Sequence, residues 1–337
     1  MKNKNAGFTI IEWMIAMVIG LFLLGGVLSV YVSSNASTQD SFDNSELQEN
    51  GRIAMNLLVK DLRKTYFWGE LTDWPISLDA GITLSPAATA LAAGSDCLDN
   101  RAIGSFPTAA NALRSIWAVR LGNPANLGGV LACLSTMTLQ PNSDVIVLKH
   151  LRGDSLRNVG AATAATVNVL DSNAANRFFM AVVPGKGYFF RGNENLSAAM
   201  GASNPWIYAY QHDVYYVTVN NNIPELRKRE LFAQMQDNLG PLVRGVEAIR
   251  ILFAVDGKLT KNNIPDRYLP PEQVTDTQWD NDQVIGARIF ILVRGVAPTP
   301  KYTNKNIYQL GDTTYDFNAA PDNYRRLLLQ SSVSFIQ

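Results

Sequence analysis

The feature that most constrains this chain is an apolar run of 25 residues near its start, from Phe8 to Val32. As an α-helix it would be about 37 Å long, enough to cross a hydrocarbon core of about 30 Å with some tilt. Lys2 and Lys4 precede the run and uncharged residues follow it. The positive-inside bias therefore keeps the short leader in the cytoplasm and exports the rest of the chain.

A carboxylate, Glu12, interrupts this run four residues after Phe8. A cleaved secretory signal ending near residues 34–36 would have a shorter apolar region and no carboxylate. A plain uncleaved anchor would carry Glu12 as a tolerated charge near the cytoplasmic edge. Otherwise the carboxylate needs a cationic partner, and no Lys, Arg or His follows the run before Arg52. An amine freed by cleavage before Phe8, on a neighbouring helix of the same kind, would supply one.

Gly7 and the residues after it, Phe8-Thr9-Ile10-Ile11-Glu12, closely resemble the class III leader of type IV pilins and type II secretion pseudopilins. The resemblance implies that a prepilin peptidase cleaves between Gly7 and Phe8 and N-methylates Phe8. It also implies that Glu12 aligns incoming subunits by pairing with the terminal amine of a neighbour. Trp13, where Leu is usual, and the absence of proline before Pro75 depart from the family pattern.

After the span, the sequence predicts an amphipathic continuation of the helix. Apolar residues recur every four positions, and two more flank the same face: Ala54, Leu58, Leu62 and Tyr66, with Leu47 and Leu57. Such a stripe indicates packing on a globular head. The wording of residues 47–63 also resembles the post-membrane helix of minor pilins of the PilW kind.

From Trp68 onward, short apolar or alternating runs typical of strands replace the helical period, among them SIWAVRL, DVIVLKHL, RFFMAVV, HDVYYVTV, IRILFAVDG, ARIFILVRG and SVSFIQ. The dipeptide Asp256-Gly257 indicates a tight turn. Stretches such as SPAATALAAGSD are interpreted as exposed loops, and ELRKRELFAQM as a short helix or a charged strand edge. The predicted fold class is α+β, with a long N-terminal helix packed on a β-rich periplasmic head.

Four segments are expected: a leader peptide (1–7), a transmembrane assembly helix (8–34), a periplasmic amphipathic helix (35–66) and a β-rich head (67–337). The closing part of the head, with GVEAIRILFAVDGKL, VIGARIFILVRG and RRLLLQSSVSFIQ, again resembles PilW-type proteins. The resemblance therefore covers both ends of the chain.

The two cysteines, Cys97 and Cys133, are what an exported domain would pair. In the chain-entropy model a loop of this length contributes roughly 4 kcal/mol to stability. We therefore expect a disulfide, with two free buried thiols as the alternative.

The sequence offers no constellation for catalysis, and we expect neither an enzyme nor a cofactor. Histidine, on which triads and zinc sites depend, occurs only at His150 and His212, each beside a predicted strand. Both are expected to be structural or exposed. Equal numbers of acidic and basic residues give no electrostatic support for nucleic-acid binding.

Two short segments match known functional motifs in sequence but are interpreted here as ordinary structural elements. Asp256, Thr260 and Asn262 have EF-hand-like spacing, but Lys258 occupies a ligand position, which favours a plain hairpin without metal. Residues 152–154 spell an adhesion tripeptide and are interpreted as a turn.

The combined resemblance implies a minor pilin that docks with other pilins through its N-terminal helix and primes or caps a type IV pilus. Its partners would be other minor pilins, the major pilin, the prepilin peptidase and a tip adhesin of the PilY kind. It would sit in the inner membrane with a periplasmic head before joining the fibre near its tip. A pseudopilin resembling the type II secretion J component, and a membrane-anchored periplasmic enzyme or binding protein, remain alternatives.

Overall fold

The computed structural model describes residues 9–71, 76–94, 104–109, 112–122, 131–134, 137–155, 173–196, 200, 203–232, 235–237, 240–257, 262–281 and 283–335. Its α-helices there are α1 (Ile10–Leu62), α2 (Pro86–Gly94) and α3 (Asp276–Asp280). Short 3-10 turns lie at Leu78–Ala80, Ala132–Leu134, Ala174–Asn176 and Pro271–Gln273. The chain divides into two compact units between Glu46 and Leu47, so α1 contributes to both.

The strands belong to the second unit and form three sheets. They are β1 (Ile82–Leu84), β2 (Ile116–Arg120), β3 (Asp144–Ser155), β4 (Phe178–Val183), β5 (Lys186–Arg191), β6 (Trp206–Asn220), β7 (Ile223–Leu231), β8 (Met235–Asp237), β9 (Val243–Arg244), β10 (Val246–Val255), β11 (Arg267–Leu269), β12 (Val284–Arg294), β13 (Ile307–Leu310), β14 (Thr313–Asp316) and β15 (Arg326–Ser334). The α+β class is confirmed.

The large sheet has the order β1-β5-β4-β6-β3-β2, and β7 pairs with β6, β8 and β9. Its central strand β6 is buried on both faces. Val214 and Tyr216 join a core that contains Trp68, whereas Tyr215 and Val217 face a second core shared with the small sheet. This alternation is the period-two pattern expected of a strand covered on both sides.

The last turns of α1 supply one wall of that second core. Ala54, Leu58 and Leu62 are fully buried there, which confirms the predicted packing stripe. At Gly51 a Cβ atom would lie 2.5 Å from Cδ1 of Leu329 in β15, so the helix approaches the small sheet closely. After the helix ends, Tyr66 adopts a left-handed φ of 69°.

The small sheet has the order β11-β10-β12-β15 and is joined to the large sheet through buried polar contacts. The backbone amides of Ile249 and Ile251 in β10 donate to Ser143 Oγ at 3.0 Å and to Asp144 Oδ2 at 2.8 Å. Asp144 is the first residue of β3 in the large sheet, and Ser143 immediately precedes it. These side chains satisfy β10 amides that no neighbouring strand covers.

One arginine gathers three carboxylates at this junction. Arg250, 1% exposed, donates to Asp144 at 2.8 Å, Glu272 at 2.7 Å and Asp312 at 2.7 Å. Asp312 lies in the turn between β13 and β14, whose hairpin covers the outer face of the small sheet around Leu310. The guanidinium thus connects both sheets and the hairpin, as its fan of five donors allows.

Several local expectations are corrected by the structure. The stretch expected to be a loop at residues 85–96 contains α2, whose Ala88 and Leu91 are buried. Asp256-Gly257 does not form a two-residue turn, because β10 ends at Val255 and its partner β11 begins only at Arg267. Residues 152–154 lie in β3, where its pairing with β6 shifts register, and not in a turn.

The charged segment ELRKREL is a strand. It forms most of β7, which pairs with β6 through eight residues from Ile223 to Glu230. Lys228 contacts Asp213 of β6 at 3.4 Å, and Glu225, 3% exposed, accepts from Arg227 at 2.9 Å. Paired charges therefore let a polar sequence occupy a position inside the sheet.

Gly245 lies between β9 of the large sheet and β10 of the small sheet, so a substitution there tests the connection between the two sheets. It has a φ of 83°, and a Cβ atom there would lie 2.6 Å from the carbonyl oxygen of Arg294. Replacing Gly245 by alanine is expected to lower the free energy of unfolding by about 1–3 kcal/mol, measured by urea unfolding of the full chain in detergent. Gly122→Ala is the matched control, since nothing lies within 4 Å of the added Cβ. Equal stability of the two variants would contradict the assignment.

Candidate assembly helix

The first turn of α1 is closed by a reciprocal cap. Thr9 precedes the helix, and both its backbone N–H and its hydroxyl donate to Glu12 Oε2 at 2.9 Å. In return, the Glu12 N–H donates to Thr9 Oγ1 at 3.3 Å. This is a capping box, which satisfies two amides that have no partner within the helix. The Thr-x-x-Glu spacing was readable in the sequence, but sequence analysis did not assign Thr9 this role.

The cap leaves part of the Glu12 carboxylate open. Both bonds from Thr9 go to Oε2, and Oε1 accepts no hydrogen bond from the residues that the structure describes. Glu12 is also the only charged residue between Thr9 and Gln39. An exposed carboxylate oxygen in an apolar helix is an acceptor for a cation from another chain.

Around Glu12 the helix is apolar on all sides. Ile10, Trp13, Phe22 and Leu24 are 80%, 62%, 80% and 59% exposed, and the other large apolar side chains up to Val32 resemble them. A helix with no polar face requires either lipid or other apolar helices around it. Within the described part of the chain, α1 is long and apolar enough to cross a membrane. Together with the leader, this indicates membrane anchoring.

The helix changes character after Val32. Hydroxyls in the polar stretch that follows donate to carbonyls one turn earlier: Thr38 to Ser34 at 2.9 Å, Ser41 to Ser37 at 2.9 Å and Ser45 to Ser41 at 2.8 Å. Such back-bonding satisfies the side chains without a partner outside the helix. The polar stretch therefore continues α1 beyond its apolar portion.

Other predicted site residues fall partly beyond what the structure describes. Gly7 and Phe8, the predicted cleavage pair, lie outside the described residues, as does Cys97. Cys133 lies in the 3-10 turn Ala132–Leu134, half-buried against the core around Trp68. The disulfide between Cys97 and Cys133 stays a prediction.

Both histidines lie inside strands and are fully buried. His150 in β3 and His212 in β6 occupy neighbouring ladder positions, and Ser105 Oγ lies 2.8 Å from His212 Nδ1. Burial lowers the pKa of His150 to about 4 and that of His212 well below its usual value. Both rings are therefore neutral at physiological pH and out of reach of a substrate.

The EF-hand-like segment is organised around a buried carboxylate. Asp256 is fully buried, and its Oδ2 accepts the amides of Asn262 at 2.8 Å and Asn263 at 3.0 Å. Lys258 and Thr260 lie outside the described residues. No group of three metal-ligating side chains occurs within the described ranges. Asp256 thus serves as a loop-closing acceptor.

Comparison with known proteins adds two family matches. Residues 214–336 match the model of Type IV Pilus-assembly protein W, which covers the chain from the middle of β6 through β15. Residues 2–28 match the prokaryotic N-terminal methylation motif, which covers the leader and much of the apolar run. No curated protein and no solved structure matches the chain. The two matches, one at each end, support a PilW-type pilin related to the type IV pilus.

Proposed function

We propose that this chain is a minor pilin that primes or caps type IV pilus assembly by docking with other pilins through the apolar part of α1. The observation that carries the proposal is Glu12, held by its own Thr9 through one oxygen while the other stays open, in a helix whose apolar surface is exposed on all sides. A neighbouring subunit offers both the apolar surface and the cation that this arrangement lacks.

The cation would come from leader processing. The methylation motif covers Gly7 and Phe8, and cleavage between them makes Phe8 the new amino terminus. Its N-methylated amine on an adjoining subunit would meet the open oxygen of Glu12, away from bulk water, where a charge pair is stronger. This divides the chain into a leader (1–7), an assembly helix (8–34), a periplasmic helix (35–66) and a head (67–337).

The partners follow from this mode of docking. Other minor pilins and the major pilin would pack along α1, the prepilin peptidase would process the leader, and a tip adhesin of the PilY kind would contact the head. The head would lie in the periplasm before assembly and near the fibre tip afterwards. Pilins of this family are generally structural, and we propose no catalytic role.

A type II secretion pseudopilin is the second candidate, because the methylation motif alone does not separate the two systems. The match to the pilus-assembly model over residues 214–336 favours the pilus. A membrane-anchored periplasmic binding protein would need no open carboxylate in its anchor, so Glu12 weighs against it.

The mature amino terminus tests the proposal. We expect mass spectrometry of the purified membrane protein to show a chain that begins at Phe8 with one added methyl group. The matched control is the Gly7→Val variant, whose leader should remain attached. A mature chain that begins near Ser37 would indicate ordinary secretion, and an intact Met1 a plain anchor, and either result would overturn the proposal.

A further inference from the structure

The polar part of α1 carries an exposed aromatic side chain next to a carboxylate. Phe42 is 67% exposed and lies ten residues beyond Val32, the last residue of the apolar run. That distance is about 15 Å of helix, so lipid around the run does not reach the ring. Glu46 follows one turn later on the same side of the helix, is exposed, and makes no ion pair within the described residues. The chain itself therefore leaves this ring and this carboxylate uncovered.

The charge of α1 changes sign between this segment and the end of the helix. Residues 33–51 contain no lysine, arginine or histidine but four acidic residues, which are Asp40, Asp43, Glu46 and Glu49. Residues 52–64 contain one acidic residue, Asp61, and four basic ones, which are Arg52, Lys60, Arg63 and Lys64. Two copies of the chain therefore attract each other when the acidic segment of one meets the basic segment of the other.

A surface pocket of about 470 Å³ lies directly after the carboxyl end of α1. Residues 63–67 line it, together with Leu151 and Gly153 of β3, and most of the lining surface is apolar. No carboxylate occurs among these described lining residues. A cavity of about 150 Å³ already holds benzene, so this pocket has room for a phenyl ring.

Two aromatic rings of the pocket are already held in place. Phe67 meets Tyr208 edge-on, with ring centroids 6.0 Å apart, and is still 39% exposed. The hydroxyl of Tyr66 donates to the carbonyl oxygen of Val284 at 3.1 Å, which fixes the second ring. An incoming phenylalanine can pack edge-on or offset against such rings. The pocket is therefore a preformed site for an aromatic side chain.

The pocket also contains two donors that lack an acceptor. Arg63 is exposed and makes no ion pair within the described residues, whereas Lys64 is already paired with Asp61 at 2.7 Å. Thr65 is 1% exposed, and its Oγ1 has no hydrogen-bond partner in the part of the chain that the structure describes. A buried hydroxyl without a partner costs free energy that an acceptor in the pocket would recover. The donors therefore favour an occupant with a carboxylate beside its ring.

We propose that Phe42 and Glu46 of one copy dock in this pocket of a second copy, with the ring against Phe67 and the carboxylate beside Arg63. The acidic segment supplies the aromatic anchor and the negative charge that the pocket lacks, and every copy carries both surfaces. Such a head-to-tail contact leaves one surface of each kind open on the outer copies, so it can repeat along a fibre. The inference deepens the proposed docking with pilins, on which its biological use rests, by adding a contact outside the apolar run.

The test uses the full chain in detergent micelles and a blocked peptide of residues 37–50, STQDSFDNSELQEN, in which benzoylphenylalanine replaces Phe42. Irradiation attaches this peptide to the residues that its ring contacts, and mass spectrometry locates the attachment. We expect attachment within residues 63–67 or 151–153. The peptide with its natural Phe42 should compete at least about tenfold more strongly than its Phe42→Ala form, because an aromatic anchor carries much of the binding energy at such contacts.

Charge reversal tests the ion pair separately from the ring. Arg63→Glu in the full chain should reduce attachment of the peptide at least about threefold, as expected for an exposed ion pair. A Glu46→Lys form of the peptide should restore attachment to that variant, and high salt should weaken attachment to the wild type. The control variant Arg267→Glu replaces an exposed arginine of β11 and should leave attachment unchanged.

Three results would overturn the proposal: attachment spread over the head, equal competition by the Phe42→Ala peptide, or no recovery when the Glu46→Lys peptide meets the Arg63→Glu chain. Attachment in the pocket that depends on the ring but not on the charges would assign the pocket to an apolar ligand instead. These measurements involve neither leader cleavage nor Glu12, so their failure is distinguishable from failure of the proposed function.

Discussion

Replacing Glu12 by glutamine is expected to leave the chain in the membrane and to reduce its incorporation into fibres at least about tenfold. Glutamine at this position can still accept from Thr9 and preserve the capping box, since Glu and Gln both serve there. What it loses is the negative charge that we propose pairs with the amine of an adjoining subunit. Immunoblots of sheared fibres and of membranes measure the two populations.

The variants at this site separate the charge from the cap. Glu12→Ala removes both, and Thr9→Val removes the hydroxyl of the cap while keeping the charge. If the charge governs assembly, the two Glu12 variants fail alike and Thr9→Val assembles. Glu49→Gln, on the exposed surface of α1 and paired with Arg52, is the matched control and should assemble normally. Normal incorporation of Glu12→Gln alongside failure of Glu12→Ala would falsify the charge role and leave only helix capping.

Replacing Arg250 by methionine is expected to lower the free energy of unfolding by about 3–5 kcal/mol above about pH 8, where Asp144 of the wild type is ionised. The substitution removes every cation contact that Asp144 makes within the described residues, and Asp144 is fully buried. Methionine keeps much of the volume of the side chain, so the loss comes mainly from the unpaired carboxylate and not from a cavity. Urea unfolding of the full chain in detergent, followed by tryptophan fluorescence, measures it.

The loss should shrink as the pH falls. Burial already outweighs the attraction of Arg250 and raises the pKa of Asp144 from 3.8 to about 7. A raised carboxyl pKa means that the folded state binds the proton more tightly, so its stabilising effect is present at low pH and declines as the pH rises towards the folded value. Without Arg250 the pKa rises further, so the folded wild type and the folded variant differ in the charge of Asp144 only above about pH 7, and the loss should be smaller at pH 5 than at pH 8 or above.

The neighbouring contacts set the part of the loss that does not depend on pH between pH 5 and neutral pH. Arg250 lowers the pKa of Asp312, so the stability which that contact provides is fully present above the ordinary carboxyl pKa, and the variant loses it equally at pH 5 and at neutral pH. Glu272 and Arg120 face the same site, with Arg120 Nη1 3.8 Å from Glu272 Oε1. Adding Asp144→Asn to the methionine variant should recover about half of the loss or more, because no buried charge then remains unpaired. A pH-independent loss in the single variant would contradict this account.

The helix α2, which was expected to be a loop, and the strand β7, for which a short helix or a charged strand edge was left open, differ in how far the sequence could have revealed them. The start of α2 carries a readable signal, Ser85 before Pro86, since serine caps helices and proline favours their first turn. Ser85 Oγ indeed accepts the amide of Ala88 at 3.2 Å. The role of Glu194, more than a hundred residues away in the sequence, could not be read from a local pattern. Its Oε1 accepts the amide of Ala87 in the first turn of α2 at 2.9 Å.

The charged strand β7 shows the opposite case. The sequence of this segment is compatible with a helix or with a strand, because charged residues occur in both. The choice depends on Asp213 of β6, which accepts from Lys228 and sits opposite Glu230 in the ladder. Partners distant in sequence therefore decided its conformation, as they do for strands in general.

The sequence by itself determined the apolar helix, its lone carboxylate and most of the strands of the head, because hydrophobic length and period are local properties of the chain. Only the tertiary structure decided that Asp144 and Arg250 would meet and that β15 would end the small sheet. Pairing and edge position depend on which strands come together across long separations. That is settled by the packing of the whole head and not by any short stretch of residues.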